Sequence, residues 1–177
     1  YQQFAQATVQ VIAQQGLTLV YGGGRSGLMG VVADSALQAG GRVIGIIPKA
    51  LVDRELAHTG LTELYVVNDM HERKTKMAEL ADAFVALPGG AGTMEEIFEQ
   101  WTWNQLGIHR KPCAFLNIDG FYDGLIQTIQ DSVDRGFSQA RFVENLIVAD
   151  NIHDILTAFL AYQPATPKWM SATDIQG

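Results

Sequence analysis

The sequence predicts an α/β fold, a Rossmann-like doubly wound parallel sheet with helices on both faces. Three observations carry that expectation. Short apolar runs alternate with helix-spaced segments along most of the chain, glycines close several of those segments, and two glycine turns follow apolar runs directly, at Gly22-Gly23-Gly24 and at Gly89-Gly90-Ala91-Gly92. Such alternation builds right-handed βαβ units, whose ligands bind beyond the carboxyl ends of the strands.

The elements follow in order. Residues 2–15 carry apolar side chains at helical spacing (Phe4, Val9, Val11, Ile12) and stop at Gly16. Leu17 to Tyr21 is a strand ending in the first glycine turn, and a helix over 28–39 closes at Gly40-Gly41. The run Arg42 to Ile47 is a strand that Pro48 terminates, and Leu61 to Val67 is another. Asn68 or Asp69 can cap a helix over 69–82, with Glu72 three residues after Asp69 in capping-box position. Ala83 to Leu87 is short and apolar, as strands buried on both faces are. Helix 93–107, strand 112–118, helix 122–135 closed by Gly136, strand 146–149 and helix 151–161 complete the pattern. Residues 1–162 are thus expected to form one Rossmann-like domain, with 163–177, carrying Pro164 and Pro167, as an irregular tail.

Composition narrows the function classes. The 177 residues are 47% hydrophobic and 18% charged, which suits a globular core. A net charge of −7, with only 12 Lys and Arg, argues against a nucleic-acid partner, because phosphate-backbone binding needs clustered cations. The single cysteine, Cys113, cannot form an internal disulfide and points to a reducing compartment. No apolar run approaches the ~18 residues that span a bilayer. We therefore expect a cytoplasmic protein without a membrane partner.

The chemistry concentrates in Leu87-Pro88-Gly89-Gly90-Ala91-Gly92-Thr93-Met94-Glu95-Glu96, where a buried strand turns through glycines into an acidic helix start. Glycine backbone can adopt positive φ and lets N–H groups approach an anion, and the helix dipole adds a favourable field. A phosphate therefore fits there, with carboxylates beside it. The first turn, Gly22-Gly23-Gly24-Arg25-Ser26-Gly27, has G-x-G-x-x-G spacing, but Ile46-Ile47-Pro48-Lys49 occupies the place where a ribose-binding acid belongs. Gly23 and Gly24 instead suit a second anion loop or a contact to sugar or base.

On helix 69–82 the stripe Met70, Met77, Leu80, Ala81 includes Arg73 and Lys74 at i+3 and i+4 from Met70, so both cations face inward. Their long stems either reach a polar edge or meet an anionic ligand. The histidines His58, His71, His109 and His153 show no metal-ligand spacing, and neither a metal nor a cofactor is expected.

Pro88-Gly89-Gly90-Ala91-Gly92-Thr93-Met94-Glu95-Glu96 resembles the PGGxGTxxE signature of the LOG (Lonely Guy) family, once labelled lysine decarboxylases. Tyr21 to Gly24, Gly27-Leu28-Met29-Gly30, Ile46-Ile47-Pro48, Met70 to Lys74 and Thr102 to Gly107 resemble it in order and spacing, over about residues 1–160. The resemblance implies a homodimeric phosphoribohydrolase that cuts the N-glycosidic bond of cytokinin riboside 5′-monophosphates, or of AMP, to free base and ribose 5-phosphate. It implies that Arg73 and Lys74 are the family's Arg-Lys pair, that Gly89, Gly90, Ala91, Gly92 and Thr93 hold phosphate and ribose, and that Glu55 and, more weakly, Thr102 touch substrate. The family normally begins with a strand and a Gly-Ser loop, whereas this chain opens inside the first helix, so the first strand is expected to be missing from this chain, which is then either a fragment or has a gap at the centre of its sheet.

Glu95 and Glu96, adjacent on a helix, point about 100° apart, so one alone faces a bound ribose. The family signature favours Glu96 as the catalytic carboxylate, with Arg73 as its cationic partner. Against this, Thr93 and Glu96 also have capping-box spacing. A pyridoxal-phosphate decarboxylase is disfavoured, since nothing marks a Schiff-base lysine and its pyridinium partner. A non-catalytic nucleotide carrier is the alternative that the loop alone does not exclude. Phe98, Trp101 and Trp103 exceed what one core-facing stripe needs, which fits either a dimer interface or deep packing.

Overall fold

The computed structural model describes residues 1–52, 54 and 56–169. It divides into two compact units, residues 1–81 and 82–177. The first contains α1 (Gln2–Gln14), β1 (Thr18–Tyr21), α2 (Gly27–Gln38), β2 (Arg42–Pro48), β3 (Glu63–Val67) and α3 (Met70–Leu80). The second contains β4 (Phe84–Ala86), α4 (Ala91–Leu106), β5 (Cys113–Leu116), α5 (Asp123–Asp134), α6 (Ala140–Glu144), β6 (Ile147–Ala149) and α7 (Ile152–Ala161).

Each unit holds a three-stranded parallel sheet, ordered β1-β2-β3 in the first and β4-β5-β6 in the second. The fold class is as the alternation implies, with the strand pairing of the described residues falling into two sheets. In each, the middle strand is the most apolar. Val43 to Pro48 of β2 are all buried, and so are all four residues of β5. A strand with neighbours on both edges and helices on its faces has no wet side, so its sequence runs apolar without alternation.

In the first unit, Ala5, Val9 and Ala13 of α1 recur every four residues and are buried. Small side chains let α1 come close to the turn after α2: a Cβ at Gly41 would strike the Cβ of Ala13. Met77 and Leu80 of α3 pack on Ile44, Ile46 and Val67. Asp69 caps α3, its carboxylate accepting from Glu72 N–H at 2.9 Å. The return bond of Glu72 goes to the N–H of Asn68, at 2.7 Å, one residue earlier than a standard capping box places it.

In the second unit the core gathers Ala86, Ile97, Trp101, Cys113, Phe115, Tyr122, Ile129 and Phe142. Trp101 is buried and its indole N–H donates to Phe142 O at 3.2 Å. Phe98 meets Trp101 edge-on at 5.8 Å, and Trp103 packs edge-on against His109. Of the three aromatics on this helix only Trp101 is buried, while Phe98 and Trp103 are half-buried. Burial pushes the Cys113 thiol up to about 12, so it stays protonated in the core. Beyond α7 the chain has no regular structure through Pro167, and Lys168 N–H donates to Gln105 O at 2.8 Å.

Most element ends shift by one or two residues from the sequence expectation, and two differences bear on the second unit. α4 begins at Ala91 rather than 93, because the glycine turn itself supplies its cap, and a short helix, α6, occupies a stretch with no apolar periodicity. α4 closes on Gly107 at φ +78°, where an added Cβ would touch Pro167 at 3.0 Å. Gly107→Ala should therefore cost at least about 1–2 kcal/mol, the penalty of a left-handed alanine, seen as a lower melting temperature.

Candidate active site

In the second unit the candidate site begins where β4 runs out. Its last ladder pair sets Ala86 opposite Phe115, and Leu87 to Gly90 then carry the chain into α4. Gly90 is the N-cap, in extended conformation, and the first helical bond runs from Met94 N–H to Gly90 O at 3.2 Å. The N–H groups of the turn before that bond have no carbonyl within their own helix, and the positive end of the helix dipole lies there.

The glycines serve space, not unusual dihedrals. None of Gly89, Gly90 or Gly92 has positive φ, contrary to the expectation from the sequence. A Cβ on Gly89 would instead overlap the Thr93 side chain, while Cβ atoms on Gly90 and Gly92 would meet nothing within 4 Å. The first glycine seats Thr93 against the turn, and the other two leave the helix N-terminus bare toward open space. Glycine leaves no Cβ in the path of an anion approaching such N–H groups.

Thr93 is the third residue of α4, not its cap, so the capping-box reading of Thr93 with Glu96 does not apply. Glu96 lies one turn further along and is half-buried, while its neighbour Glu95 is exposed. Thr102 is exposed and its hydroxyl donates to Phe98 O of the same helix at 2.7 Å.

In the first unit the other glycine turn is held by its carbonyls. Arg73 is 5% exposed, and its guanidinium Nη2 donates to Gly22 O at 2.8 Å. His58 N–H donates to Gly23 O at 2.9 Å, and the Tyr21 hydroxyl donates to Gly24 O at 2.9 Å. Burial, and then the Asp34 charge, push the Tyr21 hydroxyl well above the usual phenol range, keeping it a donor. Gly23 has φ +76° and a Cβ there would press on the backbone of Ile46, so this position needs glycine twice over.

Arg73 is therefore one of the inward cations that the helix stripe indicated, and Lys74 beside it is half-buried. Met70 departs from the stripe: it is largely exposed, its sulfur 3.7 Å from Arg73 Nη1. Asp53 and Glu55 lie outside the described residues. The chain next to them is tied to the glycine turn, Arg25 N–H donating to Leu56 O at 3.1 Å and Gly24 bridging Ala57. His58 is clamped too, its Nδ1 accepting from Gly60 N–H and its Nε2 lying 2.8 Å from Asp34 Oδ1. Sequence reasoning missed Tyr21, Asp34 and His58, whose partners are separated along the chain or made of backbone.

Parallel sheets with glycine turns at the carboxyl ends of β1 and β4 are the arrangement in which α/β proteins of the nucleotide-binding type hold their ligands. Residues 29–159 match the family model described as "Possible lysine decarboxylase". A cytokinin riboside 5′-monophosphate phosphoribohydrolase of Rhodococcoides fascians is 48% identical over 159 residues, covering 89% of this chain and 80% of that protein. A probable enzyme of the same name from Oryza sativa is 46% identical, covering 86% and 69%. One from Arabidopsis thaliana is 43% identical, covering 93% and 76%. The chain belongs to this family, the LOG phosphoribohydrolases, and is an N-glycosyl hydrolase. Among solved structures, the molybdenum cofactor carrier protein of Chlamydomonas reinhardtii matches with TM-score 0.67 and 22% identity, over 90% of this chain and 88% of that one. A likeness at that identity shows the shared fold alone.

The packing of Arg73 on the turn gives a direct check. A Cβ on Gly22 would overlap the Arg73 guanidinium, so Gly22→Ala should displace it. We expect a loss of about 1–3 kcal/mol in chemical denaturation, the usual cost of overpacking a well-filled site.

Proposed function

We propose that this chain hydrolyses the N-glycosidic bond of cytokinin riboside 5′-monophosphates, of AMP, or of both, releasing the free base and ribose 5-phosphate. The observation that carries the reading is the bare N-terminus of α4, with Gly90 and Gly92 bordering open space and the half-buried Glu96 one turn along the same helix. The names of the relatives, similar over most of their length, support the same substrate class.

The chemistry follows from charge. Breaking a ribosyl–base bond builds positive charge at the anomeric carbon, which a nearby carboxylate stabilises while water attacks. A 5′-phosphate on the turn of Gly89, Gly90, Ala91, Gly92 and Thr93 would fix the ribose, so that binding energy far from the reacting bond positions it. Glu96 is assigned the carboxylate role and Glu95 a secondary one. Arg73 and Lys74 are assigned to substrate through the family's Arg-Lys motif, and Glu55, Gly23, Gly24 and Thr102 are retained as substrate contacts on the resemblance. We further propose that the chain works as a homodimer in the cytoplasm, without nucleic-acid or membrane partners. Among the described residues no helix is long and apolar enough to cross a membrane.

Two outcomes are expected. AMP or isopentenyl-AMP should yield free base by chromatography, while the corresponding nucleoside reacts at least about a hundredfold more slowly in kcat/KM, because a charge-assisted anchor worth several kcal/mol is lost. Equal rates would refute the phosphate's role. Glu96→Gln should melt near the wild-type temperature and bind AMP, yet lose at least roughly a hundredfold in kcat, whereas Glu95→Gln should lose less. The reverse ranking would move the chemistry to Glu95.

A further inference from the structure

Tyr122 is fully buried, and every polar atom it has is engaged. Its hydroxyl donates to Leu87 O at 2.6 Å, its N–H donates to Asn117 Oδ1 at 2.7 Å, and its carbonyl accepts from Ile126 N–H at 2.9 Å. The ring is gripped edge-on by Phe115 at 4.8 Å and by Phe121 at 4.9 Å. The segment before it is equally constrained. Asn117 N–H donates to Ala149 O, its amide donates to Asp123, and Asp119 and Gly120 both take positive φ to bring the chain round. Asp119 at φ +53° is one of two described non-glycine residues in that region, a conformation held only where surroundings enforce it.

Leu87 is one residue past the last ladder pair of β4, and two before Gly89. From that point the sheet no longer fixes the backbone, although the turn must hold its N–H groups in register for a ligand to bind without first ordering them. We propose that Tyr122 is a positioning residue for the phosphate-binding turn, its hydroxyl anchoring the Leu87 carbonyl so that Gly89 to Thr93 are preorganised for the substrate's 5′-phosphate. This rests on the function proposed above. Burial pushes the Tyr122 hydroxyl up to about 12, so it remains a protonated donor throughout the neutral range.

Tyr122→Phe removes the hydroxyl and keeps the ring. The variant should raise KM for AMP about tenfold, the scale of one lost buried hydrogen bond, with kcat changed less than about threefold. It should also narrow the AMP-to-adenosine ratio of kcat/KM by a similar factor. A role in packing alone would lower the melting temperature and leave that ratio as it is in the wild type. Ribose 5-phosphate binding by calorimetry is the second arm, and it does not depend on turnover. The wild type should bind ribose 5-phosphate and Tyr122→Phe should bind it about tenfold more weakly. Equal affinity in the two proteins, or no binding by the wild type, overturns the proposal. Wild-type protein that binds ribose 5-phosphate but releases no base from AMP or isopentenyl-AMP would overturn the hydrolase reading while leaving Tyr122 to be judged by this arm. Should Tyr122→Phe fail to fold, Asn117→Ala loosens the same segment without altering ring or hydroxyl. It should weaken ribose 5-phosphate binding in the same direction, and unchanged affinity there refutes the anchor.

Discussion

The constraint on which the structure depends is what happens to backbone polar groups where a parallel strand ends. Inside the sheets the ladder satisfies them, and beyond it each buried carbonyl needs another donor. Here side chains supply several of those donors. The Arg73 guanidinium holds Gly22 O, the Tyr21 hydroxyl holds Gly24 O, and the Tyr122 hydroxyl holds Leu87 O. With carbonyls tied back into the protein, a turn has a fixed shape before any ligand arrives. On the function proposed above, the helix N-terminus after β4 would meet its ligand with the Leu87 carbonyl already held.

Glycine has a different job in each turn. At Gly23, positive φ and the close backbone of Ile46 both disfavour a side chain. At Gly89 the limit is the Thr93 side chain, and at Gly90 and Gly92 nothing presses at all. An absent Cβ at those last two positions gains nothing for the protein's own packing, and what it leaves open is an approach to the start of α4.

Membership of the phosphoribohydrolase family fits these local features without being needed to derive them. The signature Pro88 to Glu96 is a strand exit, a bare helix start and a carboxylate one turn along, three parts whose chemistry suits an anionic sugar phosphate. The fold is shared at low identity with proteins named for carrying a molybdenum cofactor, so the fold by itself does not select the reaction. The acidic side chain at Glu96 is what the hydrolase reading adds to a phosphate cradle.

The sequence by itself determined the strand–helix alternation and the position of both glycine turns, because apolar runs and helix termination leave marks on consecutive residues; the strand it marked as buried on both faces is β4, which stands at the end of the order β4-β5-β6 with Phe84 and Val85 only half-buried. It also placed Arg73 on an inward face, since helical spacing carries that information along a single element. What only the tertiary structure decided were contacts between residues far apart in the chain. Tyr122 lies 35 positions from Leu87, Arg73 lies 51 from Gly22, and His58 lies 24 from Asp34. No periodicity records such pairs. The start of α4 at Ala91 was hidden for a related reason: the spacing of Thr93 and Glu96 imitates a capping box, but the chain already turns helical at Ala91, directly after the extended Gly90 and without a side-chain cap.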